Sequence, residues 1–206
     1  MRSEPEESMA MRPFRGVILG GVTLAIAAAF TAAVAPLTLR PESRITFDGK
    51  STVREWSCQA ATITAAIDAD AGAVAAVLQG KKAVKTVTLT FPVEKLDCAN
   101  GTMNGHMRKA LNADKHTALV FTLSGYELAG AGPVTGTLNG TLQINGVTKP
   151  ITLKAQFTEA PNGGLRMVGS YPLTMTDWQV QPPTLMLGTL KVDPVVTVQF
   201  DVQLQP

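Results

Sequence analysis

The residues able to do chemistry are few. His106 and His116 are the only two histidines of the 206-residue chain. Neither stands in a metal-ligand spacing such as HExxH, and no GxSxG elbow, P-loop or dinucleotide fingerprint is present. A Ser-His-Asp triad assembles in space, and nothing in the pattern supports one. Asp97, Asp114, Asp177 and Asp193 fall at strand ends or turns, where aspartate caps and turns the chain. No catalytic residue, metal ligand or cofactor is expected, and the chain is not read as an enzyme. Trp56 and Trp178 each stand beside a polar segment, as a core plug or as part of a pocket rim. Nucleic acid is not an expected partner. The net charge is +2, and the tight basic pairs, Lys81-Lys82 and Arg108-Lys109, read as solvated faces.

Two cysteines remain, Cys58 and Cys98, with no CxxC geometry. Their reading depends on compartment. Arg12 and Arg15 precede an uncharged Ala-, Gly-, Val- and Leu-rich run from Gly16 to Ala35 that ends in small residues. Residues 1–35 therefore read as a signal peptide, with the mature chain starting near Val34 or Pro36 and Met9 or Met11 as alternative starts. A membrane anchor is the competing reading, since the run reaches the roughly 20 residues that span a bilayer. Export to the periplasm favours a Cys58–Cys98 disulfide; two buried free thiols or a redox pair are the alternatives.

These residues must be positioned by strands. From Arg44 onward, period-two alternation dominates. Val134, Gly136, Leu138, Gly140, Leu142 and Ile144 point one way, with Thr135, Thr137, Asn139, Thr141 and Gln143 opposite. Asn145-Gly146 then marks a hairpin, and Val147, Ile151, Leu153, Ala155 and Phe157 form the apolar face of the next strand. Ile45 to Cys58 reads as a hairpin bent near Asp48-Gly49, and Ala61 to Asp68 continues the meander. Val84–Glu94, Thr117–Leu128, Leu165–Met175 and Val192–Leu204 add further strands. Residues 36–206 are thus expected to form one all-β domain, an antiparallel lipocalin-like β-barrel of about eight strands, closed because closure removes the edges. Two stretches break the pattern. Ala69 to Val77 is a short helix or a loop. Asn100 to Ala113 reads as a short capping helix with Met103, Met107, Ala110 and Leu111 on one face.

A barrel of this size either fills itself with side chains or holds one small ligand. Shared parity places Leu89, Phe91, Phe121, Leu138, Leu142 and Phe157 around the interior, with Met103 and Met107 closing its mouth. Gly136, Gly140 and Gly169 on the inner face are expected to leave room. An apolar, roomy interior suits an apolar ligand.

Several stretches carry a family resemblance. They are Gly136 through Leu153 (GTLNGTLQINGVTKPITL), Met103-Asn104-Gly105-His106-Met107 followed by Ala110-Leu111 and Leu119-Val120-Phe121, Phe47-x-Gly49-x-Ser51 leading to Trp56, and Asp177-Trp178 through Gly188 to Lys191-Val192. In order and spacing the chain resembles the YceI-like proteins from about Ser43 to Leu204. These are exported bacterial proteins whose lipocalin-like barrel binds polyisoprenoid chains. Thr117 stands where many relatives have proline, Trp178-Gln179 replaces a commoner Phe-Gly, and a histidine common near the first strand is absent. The resemblance implies a periplasmic carrier for a polyprenyl lipid or a quinone, a role compatible with transient membrane contact. The alternative is a non-catalytic structural or stress-response interaction module with a packed barrel. No feature specifies an oligomer.

Overall fold

The structure is a computed structural model that describes residues 37–130 and 133–206. The expected signal peptide, residues 1–35, lies outside the described residues. In chain order the elements are β1 (Thr38–Leu39), β2 (Arg44–Ser51), β3 (Glu55–Ala60), β4 (Thr64–Ala69), α1 (Ala73–Leu78), β5 (Val84–Pro92), β6 (Leu96–Asp97) and α2 (Gly101–Ala110). There follow β7 (Ala118–Ala129), β8 (Val134–Ile144), β9 (Val147–Ala160), β10 (Gly164–Thr174), β11 (Thr184–Leu185) and β12 (Leu190–Gln205).

All strands join one antiparallel sheet in the order β4-β5-β7-β8-β9-β10-β12-β2-β3-β6, with β1 and β11 also paired to β12. The sheet curls into the expected all-β barrel. Its wall is made by nine strands of six residues or more, and β1, β6 and β11 are two-residue pieces too short to show alternation. The ladder is open between β4 and β6, among the described residues. Residues 61–63 cross that seam, and Ala61 N donates to the Lys95 carbonyl at 2.9 Å.

Local chemistry explains most of the wall. Asn145 (φ 50°) and Gly146 (φ 76°) both lie in the left-handed region, the requirement of a two-residue turn matched to strand twist. The β8–β9 register follows directly from it, Ile144 opposite Val147 and Leu138 opposite Leu153. A register shift in β7 between Leu123 and Gly125 resets parity, so that Phe121 and Tyr126 both turn inward.

Two expectations about the first half are corrected. Asp48-Gly49 is not a bend; β2 runs through it, and the turn lies at Ser51–Arg54. There Ser51 N donates to the Arg54 carbonyl at 2.9 Å, and Ser51 Oγ accepts from Val53 and Arg54 N–H. The glycine serves the sheet instead. Gly49 is the cross-strand partner of Trp56, and a Cβ there would collide with the indole ring. Nor does β4 continue the meander. It pairs with β5 at the far end of the sheet, while the second neighbour of β3 is β6.

The core has two parts, at opposite ends of one interior. Along β8, Val134 and Leu138 belong to one cluster, and Leu142 and Ile144 to the other. At the first end α1 buries Ala73, Val74 and Val77, so the Ala-rich stretch is a plug and not a loop. Tyr126 Oη accepts the N–H groups of Ala83 and Val84, both at 2.9 Å, fixing the return from that plug into β5. At the second end lie α2 and the turn Met175–Trp178.

Candidate ligand cavity

Between the two clusters lies a cavity of about 380 Å³, inside the range of roughly 300–1,000 Å³ usual for small-molecule sites. Inward side chains of β2, β5, β7, β8, β9, β10 and β12 all reach it. The interior is therefore not solidly packed, as the structural-module alternative would have it.

All eight sequence-predicted lining residues face this space. Leu89, Phe91, Phe121, Leu138, Leu142 and Phe157 come from the wall, and Met103 and Met107 from α2. Sequence reasoning missed the contribution of β12, where Val196, Val198, Phe200, Val202 and Leu204 line the cavity at every second position. The signal was present as simple parity. It also missed Val77 of α1, which reaches the cavity from the plugged end.

The inner glycines act otherwise than expected. Gly136, Gly140 and Gly169 are not cavity-lining positions. A Cβ on Gly136 would meet the Phe157 ring at 2.6 Å, one on Gly140 would meet Phe121 at 2.7 Å, and one on Gly169 would run into Phe200. The room they leave is taken by aromatic rings lying over the bare backbone, a known way for sheets to pay for glycine. The rings in turn form the cavity wall.

At its second end the cavity is covered by α2. Asn100 caps this helix, its side chain accepting from Met103 N at 3.0 Å, the usual role of an N-cap asparagine. A disulfide joins Cys58 of β3 to Cys98, just before the helix. One of its sulfurs, that of Cys98, lies 3.9 Å from Met107 Sδ. Asn104 Oδ1 accepts from Cys98 N at 2.7 Å, and its Nδ2 donates to Asp97 Oδ1 at 2.8 Å. That bond, with a second from Ala99 N, holds the Asp97 carboxyl below the ordinary aspartate range. The far end of the helix is tied by Asn112, whose Nδ2 donates to Asn145 Oδ1 at 2.7 Å. Asn145 Nδ2 donates onward to the carbonyls of Trp178 and Gln179.

Polar groups around the cavity are sparse and mostly engaged. Trp178 is buried and donates its indole N–H to the Leu142 carbonyl at 2.9 Å. Burial, then the nearby Asp177 carboxylate, pushes the Tyr171 hydroxyl pKa up, so it faces the cavity as a neutral phenol. Trp56 differs. Its indole nitrogen is buried with no hydrogen-bond partner among the described residues, a condition that costs about 1–3 kcal/mol. His106 lines the cavity, whereas His116 lies outside it, its ring against Gly146. Asp193, expected at a strand end or turn, instead lies within β12 at the register shift between Val192 and Val196, where its carboxylate accepts from Val195 N at 2.8 Å. Among the described residues, no group of three His, Cys, Asp or Glu is placed to hold a metal ion. No helix among them is long and apolar enough to cross a membrane.

Comparison with known proteins agrees with this architecture. The YceI-like domain model matches residues 38–204. A UPF0312 protein of Ectopseudomonas mendocina is 31% identical over 101 residues, 46% of this chain and 52% of that protein. Another from Azotobacter vinelandii is 29% identical over 126 residues, 58% of this chain and 64% of its own length. The chain thus spans between half and two-thirds of these curated relatives. Among solved structures, BcnA of Burkholderia cenocepacia superposes with a TM-score of 0.64 at 16% identity, over 81% of this chain and 99% of that one. A polyisoprenoid binding domain from Saccharophagus degradans gives 0.61 at 12% identity, over 82% and 98%. At these identities the likeness is one of fold.

Proposed function

Because the chain belongs to the YceI-like family, we propose that it is a non-catalytic carrier that holds an isoprenoid-type lipid, a polyprenyl chain or a quinone, inside its barrel. The observation that carries this reading is the cavity itself, walled by aliphatic and aromatic side chains and covered by the methionine face of α2. Burying a tail there is favourable by about 0.8 kcal/mol for each CH₂ removed from water, so even short isoprenoids gain substantial binding energy. Methionine makes an adaptable cover for such tails. The Saccharophagus degradans domain of the same fold is described as polyisoprenoid binding, which supports the ligand class. We place the protein in the periplasm. The Cys58–Cys98 disulfide suits an oxidising compartment, and residues 1–35 have the composition of a cleavable signal.

Native mass spectrometry and lipid extraction of protein purified from its own compartment test the ligand. A stoichiometric prenyl species is expected. If nothing co-purifies and no prenyl lipid, quinone or fatty acid raises the melting temperature, the carrier reading is wrong. Fractionation tests the location, with a periplasmic species beginning near Val34 or Pro36 expected.

A further inference from the structure

The α2 end of the cavity carries three side chains with N–H donors and no carboxylate. Arg54, Trp56 and His106 line it there, and no Asp or Glu side chain is among its lining residues. Three links bring these donors together. The Arg54 guanidinium meets Met103 Sδ at 3.5 Å. His106 stands three residues beyond Met103, on the same face of α2. Trp56 lies two positions from Arg54 in register with Gly49, which lets the indole lie across the strand. The disulfide from Cys58 keeps this edge of β3 against the start of α2.

Two of the three lack the partner their chemistry calls for. Arg54 has no carboxylate partner among the described residues; the adjacent Glu55 is taken by Lys50 at 2.9 Å. Trp56 Nε1 has no acceptor among the described residues. Nearby, Trp178 is engaged by Leu142 and Ser51 within its own turn. A cation and an unmet N–H at one end of an apolar chamber complement a ligand with an oxyanion at one end of an apolar tail.

We propose that Arg54, Trp56 and His106 form a head-group subsite for an oxyanion, a phosphate or a carboxylate, on a lipid whose tail fills the cavity. This rests on the carrier reading and narrows it. The guanidinium binds the oxyanion at the rim, the indole N–H donates to one oxygen from inside, and the imidazole closes the third side from the lid. A neutral quinone would leave Arg54 without a counter-charge.

The test compares two probes with one tail, farnesyl monophosphate and farnesol, by titration calorimetry on the mature protein, with palmitate against hexadecanol as the carboxylate arm. Wild type should hold each anion about tenfold or more tighter than its alcohol, the scale of one charge-assisted hydrogen bond pair. Arg54→Gln should remove that preference while leaving the alcohols within about twofold, and Trp56→Phe should reduce it while keeping a ring over Gly49. Lys154→Gln, an outward charge change on β9, should retain the preference. Equal affinity for anion and alcohol in the wild type, or an undiminished preference in Arg54→Gln, overturns the subsite and leaves the carrier reading standing. Equal loss in Lys154→Gln also overturns it, since bulk charge then accounts for the effect. Failure of all four probes to bind takes both down together.

Discussion

The indole N–H of Trp178 donates to the main-chain carbonyl of Leu142 across 2.9 Å, so the turn after β10 is pinned to β8. The same turn is held by Asn145, which reaches the carbonyls of Trp178 and Gln179 at 3.3 and 3.1 Å. Trp178 is thus a fixed plug, and Trp56, with its free N–H, is a different kind of tryptophan.

Trp178→Phe keeps most of the ring but removes this hydrogen bond, while the Leu142 carbonyl keeps its place opposite Lys149 in the β8–β9 ladder. Stability should fall by about 0.5–1.5 kcal/mol, the net contribution of one hydrogen bond. Urea unfolding should show a lower midpoint at unchanged slope. An unaltered midpoint would mean that water replaces the indole there.

Gly140→Ala should be costly although it adds one methyl group. The new Cβ would sit 2.5 Å from the Thr122 carbonyl and 2.7 Å from the Phe121 ring. Overpacking of this kind destabilises by about 1–3 kcal/mol. Gly105→Ala, with nothing within 4 Å of the new Cβ, should be tolerated or mildly stabilising as a mid-helix glycine replacement.

Leu138→Asn separates cavity from surface. Leu138 is buried and lines the cavity, so an amide there leaves polar atoms unmet at about 1–3 kcal/mol. Prenyl binding should weaken about tenfold or more, and the ligand-dependent rise in melting temperature should shrink. The outward change Thr137→Asn should alter neither. Equal effects of the two substitutions would remove Leu138 from the binding wall.

Asp97 makes docking of α2 acid-sensitive. Its folded pKa is lowered, first by the Asn104 side chain and then by Ala99 N–H. A lowered folded pKa means the carboxylate stabilises the fold above its unfolded value, near about 3.9, and that contribution is lost as pH falls through the lower folded value. Wild type should therefore melt above Asp97→Asn at neutral pH, with the difference narrowing below about pH 4. A difference independent of pH would assign the effect to geometry instead.

Much of this architecture can be read from residue order. Strict alternation in β8 and β9, with Asn145-Gly146 between them, specifies faces, turn and register together, and Leu138, Leu142 and Phe157 follow from that parity, as Leu89, Phe91 and Phe121 follow from the alternation of β5 and β7. The methionine spacing of α2 marks its inner face equally well. Other features are hidden because they depend on partners distant in sequence. Asp48-Gly49 has the composition of a turn, and only the opposing Trp56 explains why a glycine stands there mid-strand. Gly136, Gly140 and Gly169 read as empty space, yet each is matched to a particular phenyl ring. Gln179 adopts φ 56°, a left-handed backbone that glutamine does not announce, and its neighbours in the Trp178 turn hold it there. The position of β4 beyond β5 is likewise set by closure of the whole sheet and by no local signal.

The placement of β12 has a consequence for how the molecule assembles. This strand joins β10 on one side to β2 on the other, pairing Phe200 with both Gly169 and Ile45, and the Gln199–Asp48 bond across it spans 151 residues of chain. Until β12 arrives, β10 and β2 each present an open row of amide and carbonyl groups, a template for pairing with another chain. Contacts of such separation make folding slow. The polypeptide therefore passes through a vulnerable interval during its biogenesis, and its last long strand acts as the keystone whose arrival ends it.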